Sequence, residues 1–260
     1  MESELRTLTV ERSDTTVTIT LNRPAQRNAL TAEMIGELHR TLDEVGESDA
    51  LAVVLAANGP VYCAGHDFAE MYHQDLMSVR RLFASCAAMM ETMQQIPQPV
   101  IARVHALATG AGCQLVATAD LAVASHGASF ATPGGKGGLF CTTPLVAVGR
   151  NIARKRALEM GLSGDAIDAR TAYEWGLIND VVDENELVAA TDALVSRVTR
   201  GSVASRAIGK RAFYAQIGLD QHAAYDLANE VMAAAILIDD AQEGIAAFLE
   251  KRPAVWTRGA

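Results

Sequence analysis

Positive charge is scarce in this chain. Its 22 Lys and Arg stand against 31 Asp and Glu, a net charge of −9 with histidine neutral. A general nucleic-acid binder needs a basic face, so that class is set aside. Cysteine is sparse too, and Cys63, Cys86, Cys113 and Cys141 form no CxxC pair. That argues against a zinc ribbon or a thioredoxin-type motif and suits reduced, mostly buried thiols. No His/Cys/carboxylate cluster appears, so no metal is expected. No apolar run approaches the length of a membrane span, so no membrane insertion is expected. The charged start, MESELRTLTVERSDTT, has no apolar h-region and is too acidic for a transit peptide; the expected location is cytoplasmic. Acidic residues, plentiful elsewhere, are missing entirely between Asp120 and Glu159. The GxSxG, HExxH and P-loop patterns are also missing, which removes serine hydrolase, zincin and kinase readings.

Half of the 260 residues are hydrophobic, enough for a sizeable core. Two alternating runs, 5–11 and 15–22, read as strands joined by a turn at 12–14. Thr31 is a good N-cap, with Met34, Leu38, Leu42 and Val45 at helical spacing behind it, and Gly46 is expected to close that helix. Residues 51–57, 100–105, 121–125 and 177–182 read as further strands. Residues 78–95, 110–118, 144–162 and 169–175 read as helices. From 184 onward only helices are expected, about 184–200, 202–217, 221–238 and 240–251. An α/β architecture of repeated βα-type units followed by an all-helical tail results. The expected division is 1–200 as the core and 201–260 as the tail.

Two glycine-rich loops stand out. The first, GPVYCAGHD (59–67), follows a strand, and its small residues would let backbone N–H groups approach an anion or a developing oxyanion. A plain surface turn is the alternative. The second, ATGAGCQL (108–115), lies at a strand-to-helix junction, where unpaired N–H groups and the helix dipole favour negative charge. It contains GxG but not GxGxxG, so a dinucleotide site is a weak reading. Each loop alone is unspecific.

Together, and followed by SFATPG, they are specific. With LNRPAQRNAL, VYCAGHDFAEM, PVIARVHALATGAGCQLVATADLAVAS, ALEMGLSGDAIDARTAYEWGLINDVV and EGIAAFLEKRPAVW, they resemble the crotonase (enoyl-CoA hydratase/isomerase) superfamily along essentially the whole chain. GHD, LATGAGCQLVA, FATPG and GLFCTTP are most similar to the branch called enoyl-CoA hydratase domain-containing protein 3. The resemblance implies a spiral of repeated ββα units with a C-terminal helical trimerisation region. It implies an acyl-CoA or enoyl-CoA thioester as ligand, with coenzyme A as part of the substrate rather than a resident cofactor. It implies an oxyanion hole from the backbone N–H groups of His66 and Ala111, and coenzyme A contacts at Arg23, Ala25, Arg27, Ala64, Asp67 and Phe68. It also implies a homotrimer or a hexamer built as a dimer of trimers. Leu227, Val231, Ala234, Ala235 and Ile238 form an apolar stripe suited to that, or to packing within the chain. Lys251 and Arg252 are candidates to reach the coenzyme A phosphates.

The departures from that family matter more. Its hydratases carry two glutamates that position water and deliver a proton. Those positions hold Gln114, which orients but does not exchange protons near neutral pH, and Gly134, which has no side chain. Losing one general acid or base typically costs about 10²–10⁴ in rate. No local shift of register supplies a carboxylate in this stretch. His66 is expected to act through its backbone with its side chain turned away. Asp67 and Asp120 are expected to be structural, Lys136 to face solvent, Cys113 and Cys141 to be inert, and Phe140 to line the acyl pocket. Three readings stay open: an acyl-CoA lyase or isomerase of fatty-acid metabolism, a non-catalytic acyl-CoA-binding or regulatory protein, and another crotonase reaction such as decarboxylation or thioester hydrolysis.

Overall fold

The computed structural model describes residues 5–257; the outermost residues of the two expected regions, 1–4 and 258–260, lie outside them. The strands β1 (Leu8–Ser13) and β2 (Thr16–Leu21) form an antiparallel hairpin. The turn is Asp14-Thr15, not 12–14, because Asp14 takes a left-handed conformation that allows a two-residue link. Helix α1 (Ala32–Gly46) is capped as expected, the Thr31 side chain accepting from Met34 N–H. It does not end on a left-handed Gly46. Glu47 closes it in right-handed geometry, and Gly46 is small because a Cβ there would meet Ile96 at 2.9 Å.

Strand β3 (Ala52–Ala57) is followed by a short helix, α2 (Phe68–Met71), which sequence periodicity did not show. Helix α3 (Leu76–Gln95) starts two residues early because Asp75 caps it. Then come β4 (Val100–Val104), β5 (Ala108–Thr109), α4 (Ala111–Thr118), β6 (Leu121–Ser125) and β7 (Ser129–Ala131). The single helix expected over 144–162 is two, α5 (Pro144–Asn151) and α6 (Arg154–Ser163). Ile152 is extended between them, and Asn151 Nδ2 donates to Ala117 O and Ala147 O at the break. Strand β8 (Ile167–Asp168), helix α7 (Ala169–Trp175) and strand β9 (Asp180–Val182) follow. The last strand is shorter than expected, with Leu177 and Ile178 buried ahead of it. Helices α8 (Leu187–Val198), α9 (Val203–Gln216), α10 (Gln221–Ala235) and α11 (Asp239–Glu250) complete the described chain.

The large sheet has the order β1-β2-β3-β4-β6-β9 and is parallel from β2 onward; the small sheet is β5-β7-β8. Two isolated bridges, Leu30↔His66 and Cys63↔Ala108, carry small-sheet pairing back to earlier turns of the chain. The chain thus visits the large sheet, steps to the small one, and returns through a helix. This is the spiral of ββα units expected from the resemblance.

Both faces of the large sheet are covered, which explains why β3 is apolar throughout rather than alternating. Val53 and Leu55 join the main core with the apolar stripe of α1 and with Met89 and Met93 of α3. Ala52 and Val54 join Ile101, Val123 and α8's Leu187, Leu194 and Val195 on the other side. Strands β3 and β4 are parallel neighbours, so the loops after them leave at the same end of the sheet, where ligand crevices form in α/β folds. Helix α9 is pinned to the core by Lys210, which donates to Met93 O and Gln98 O and pairs with Asp120 at 2.6 Å.

Candidate active site

The two loops meet at a cleft of about 390 Å³. Ala64, His66, Phe68, Ala111, Gly134 and Phe140, all singled out in the sequence, lie on its wall. So do Met71, Phe83 and Leu139, which sequence reasoning missed. Among the described residues, no Lys, Arg, Asp or Glu lines it.

Glycine builds the first wall. Gly65 has φ +88, and a Cβ there would sit 3.1 Å from Ala111 N and 3.0 Å from Thr109 O. Its absence lets the first loop pack closely against Ala111 N. Gly110 turns the chain at φ 56 so that Ala111 becomes the first residue of α4. Gly112 lets that helix approach Cys63, whose carbonyl a Cβ would strike. Neither the His66 nor the Ala111 backbone N–H has a protein acceptor among the described residues. Two donors without a protein acceptor among the described residues, one at a helix N-terminus, therefore belong to residues that line one cleft.

Glycine at the opposite wall does the reverse. A Cβ on Gly134 would collide with the Leu139 carbonyl oxygen and lie 2.8 Å from Cys141 Sγ. The backbone here closes on itself: Leu139 N–H donates to Gly134 O, and Gly134 N–H donates to Cys141 Sγ. The second acidic position has lost its side chain, and main chain occupies the room that side chain would start in. Gln114 is buried one turn along α4, is not on the cleft wall, and its Oε1 has no partner among the described residues.

The remaining predicted residues surround the first loop. Arg23 pairs with Asp67 at 3.6 Å and donates to Ala29 O; Asp67 also caps α2 at Ala69 N–H. Ala25 and Arg27 are exposed, and Arg27 O accepts from Ala64 N–H. Asn28, overlooked in the sequence, holds this arrangement. It is fully buried with φ 52, its Nδ2 lies within hydrogen-bond reach of Asn58 O, Val61 O and Tyr62 O, and its Oδ1 accepts from Arg23 N–H. The Arg27-Asn28 pair is the available signal, since Asn tolerates the left-handed region.

The His66 side chain is packed into the protein rather than left in solvent. Its ring stands edge-on to the cleft residue Phe83, centroids 5.1 Å apart, and neither ring nitrogen has a partner among the described residues. Burial holds its pKa below the ordinary 6.5, so the ring is neutral at pH 7. Burial also pushes the Cys113 thiol up to about 12 and raises Cys141, so neither is a ready nucleophile. Asp120 is structural, accepting from Val100 N–H and Tyr214 Oη. Lys136 pairs with Asp165, and Arg252 with Glu243 and Glu250.

Comparisons with known proteins identify the family and the fold. A family model described as enoyl-CoA hydratase/isomerase matches residues 11–259. The mouse enoyl-CoA hydratase domain-containing protein 3, mitochondrial, is 41% identical over 98% of this chain and 86% of its own length. A Mycobacterium smegmatis enoyl-CoA hydratase structure is 44% identical at a TM-score of 0.93, covering 96% of this chain and 99% of that one. The human enoyl Coenzyme A hydratase domain-containing protein 3 structure is 40% identical at 0.92, covering 96% and 100%. The branch resemblance seen in GHD and GLFCTTP is therefore borne out. The mouse relative's name says mitochondrial, which gives the cytoplasmic expectation no support. Among the described residues no helix is long and apolar enough to cross a membrane.

Proposed function

The chain belongs to the enoyl-CoA hydratase/isomerase family, and on that premise we propose that it binds an acyl-CoA thioester in this cleft and polarises the thioester carbonyl without a hydratase-type proton-transfer pair. The observation that carries this reading is the pairing of two unengaged N–H groups, His66 and Ala111, with a wall that has no carboxylate. A thioester oxygen between the two donors gains most when it becomes an enolate, in a site poor in competing charge. Gln114, expected from the resemblance to orient substrate or water, lies behind the cleft wall and is given no contact with the substrate. Coenzyme A runs past Ala64 and Phe68 toward Arg23, Ala25, Arg27 and Asp67. Fatty-acid metabolism is the setting this ligand suits.

A trimer or hexamer is proposed through the tail. No residue of α10 is buried, and Met232, Leu237 and Phe248 are each more than 70% exposed. Surface of that kind is what an assembly would cover. Light scattering on the purified chain tests this, and a monomer would refute it.

The test of the site is Ala111→Pro. The first helical position tolerates proline, and the change deletes one donor. Titration calorimetry should show acyl-CoA affinity falling about tenfold, the worth of one hydrogen bond, with free coenzyme A affinity unchanged. Equal loss for both ligands, or none for either, would remove Ala111 from the site.

A further inference from the structure

A second cavity, of about 370 Å³, is walled by residues of α1, α2 and α3. Its size is that of a small-molecule site. The floor is apolar, with Ile35 from α1 and Val79 and Leu82 from α3. Its titratable residues differ in what they already hold. His39 is engaged by Thr92 Oγ1 at 2.9 Å and by Asp43 at 3.7 Å. Glu70 and Arg81 form no ion pair among the described residues, with each other or with any other group. Glu70 uses Oε2 to accept from Ala32 N–H at 2.7 Å, and Arg81 donates to the Ser78 hydroxyl. A single unpaired surface charge is ordinary. Two of opposite sign on one cavity, too far apart to pair and joined by an apolar floor, suit a ligand with the reverse arrangement: an ammonium, a carboxylate and an aliphatic stem.

The same short helix serves both cavities. Phe68 and Met71 of α2 line the cleft of the first loop, while Glu70 between them lines this one. On α3 the neighbours Phe83 and Leu82 divide in the same way. A helix of four residues has no stability of its own, so α2 takes its position from what it touches. The Glu70–Ala32 bond is its tie to α1.

We propose that this cavity is a regulatory site for a small zwitterion, an α-amino acid with a branched aliphatic side chain, and that α2 transmits its occupancy to the cleft. The ammonium meets Glu70, the carboxylate meets Arg81, and the side chain covers Ile35, Val79 and Leu82. The ligand holds α2 in place, so the wall formed by Phe68 and Met71 is set before a thioester arrives. Each ligand then tightens the binding of the other. The coupling rests on the thioester reading above; the binding of the amino acid does not.

The test is calorimetry on the full chain with leucine, with 4-methylpentanoate, which lacks the ammonium, and with 3-methylbutylamine, which lacks the carboxylate. Leucine should bind with a Kd of about 1 mM or below, and each analogue about fivefold or more weakly. Glu70→Gln, whose amide oxygen still accepts from Ala32 N–H, should weaken leucine about fivefold or more, and so should Arg81→Gln. Both side chains are exposed, so neither change threatens folding. Butyryl-CoA affinity should rise about threefold or more in saturating leucine. No leucine binding, equal binding of the two analogues, or leucine binding unchanged in both variants would overturn the site. Leucine binding that leaves butyryl-CoA affinity unchanged would overturn the regulatory role. If butyryl-CoA binds no better than free coenzyme A with or without leucine, the thioester reading fails and the coupling with it, while the leucine titrations decide the site on their own.

Discussion

Buried polar groups are treated in opposite ways at two places in this molecule. Under α9, Asp120 accepts from Val100 N–H and Tyr214 Oη and pairs with Lys210, which also reaches two backbone carbonyls. Burial raises the Asp120 pKa and lowers that of Lys210, so both charges are expensive to hold and tolerable only as partners. Around the cleft, the His66 nitrogens and the Gln114 and Thr132 side-chain oxygens are buried with no partner among the described residues. Folded chains rarely leave such atoms unmet unless a ligand or function uses them. The Asp120–Lys210 cluster is closed on itself, while unmet atoms gather around the cleft and also occur at Gln98 Oε1, Arg206 Nε and Asp240 Oδ2.

The comparison can be broken at several points. Lys210→Met would strand the Asp120 carboxylate with two neutral donors and should cost about 3–5 kcal/mol in urea unfolding. Asn28→Ala strips the link between the first loop and residues 58–62 and should cost about 2–3 kcal/mol, with a fall in coenzyme A affinity that calorimetry would register. Gly134→Ala places a methyl against Leu139 O and Cys141 and should cost about 1–3 kcal/mol. For the same reason Gly134→Glu should destabilise the loop and restore no hydration; a gain of turnover would show that the wall opens easily.

His66→Phe should change stability least, within about 1 kcal/mol at pH 8, because it removes polar atoms that make no bonds. Its signature is in pH. The folded imidazole titrates below the ordinary 6.5, so the unfolded state takes up the proton first as pH falls. The parent therefore loses stability as pH drops below that value, and His66→Phe should lose less. Parallel curves of stability against pH would contradict the buried, neutral ring.

Much of this was legible in the residues. The alternation of β2, the Thr31 cap and the apolar stripe of α1 specify their elements locally. The two glycine loops identify each other because both follow strands that pair side by side. The strands of the small sheet, two or three residues each, are too short to carry a period. The helix break at Ile152 has no glycine or proline to announce it. Gly134 reads in sequence as a deletion, and only the packed Leu139 carbonyl shows that the space is filled. The packing of the His66 ring was not legible, because a loop's backbone role says nothing about where its side chain packs; Phe83, seventeen residues away on α3, decides that.

The most direct test of the central claim is to offer the parent short- and medium-chain trans-2-enoyl-CoA and follow hydration by mass spectrometry, with binding measured in parallel. The account predicts that the thioesters bind and that hydration is slower than in a glutamate-bearing relative by at least about 10²-fold, the lower bound for losing one proton-transfer group. Turnover comparable to that relative would mean that another acid or base serves this cleft, and the account would be wrong at its centre.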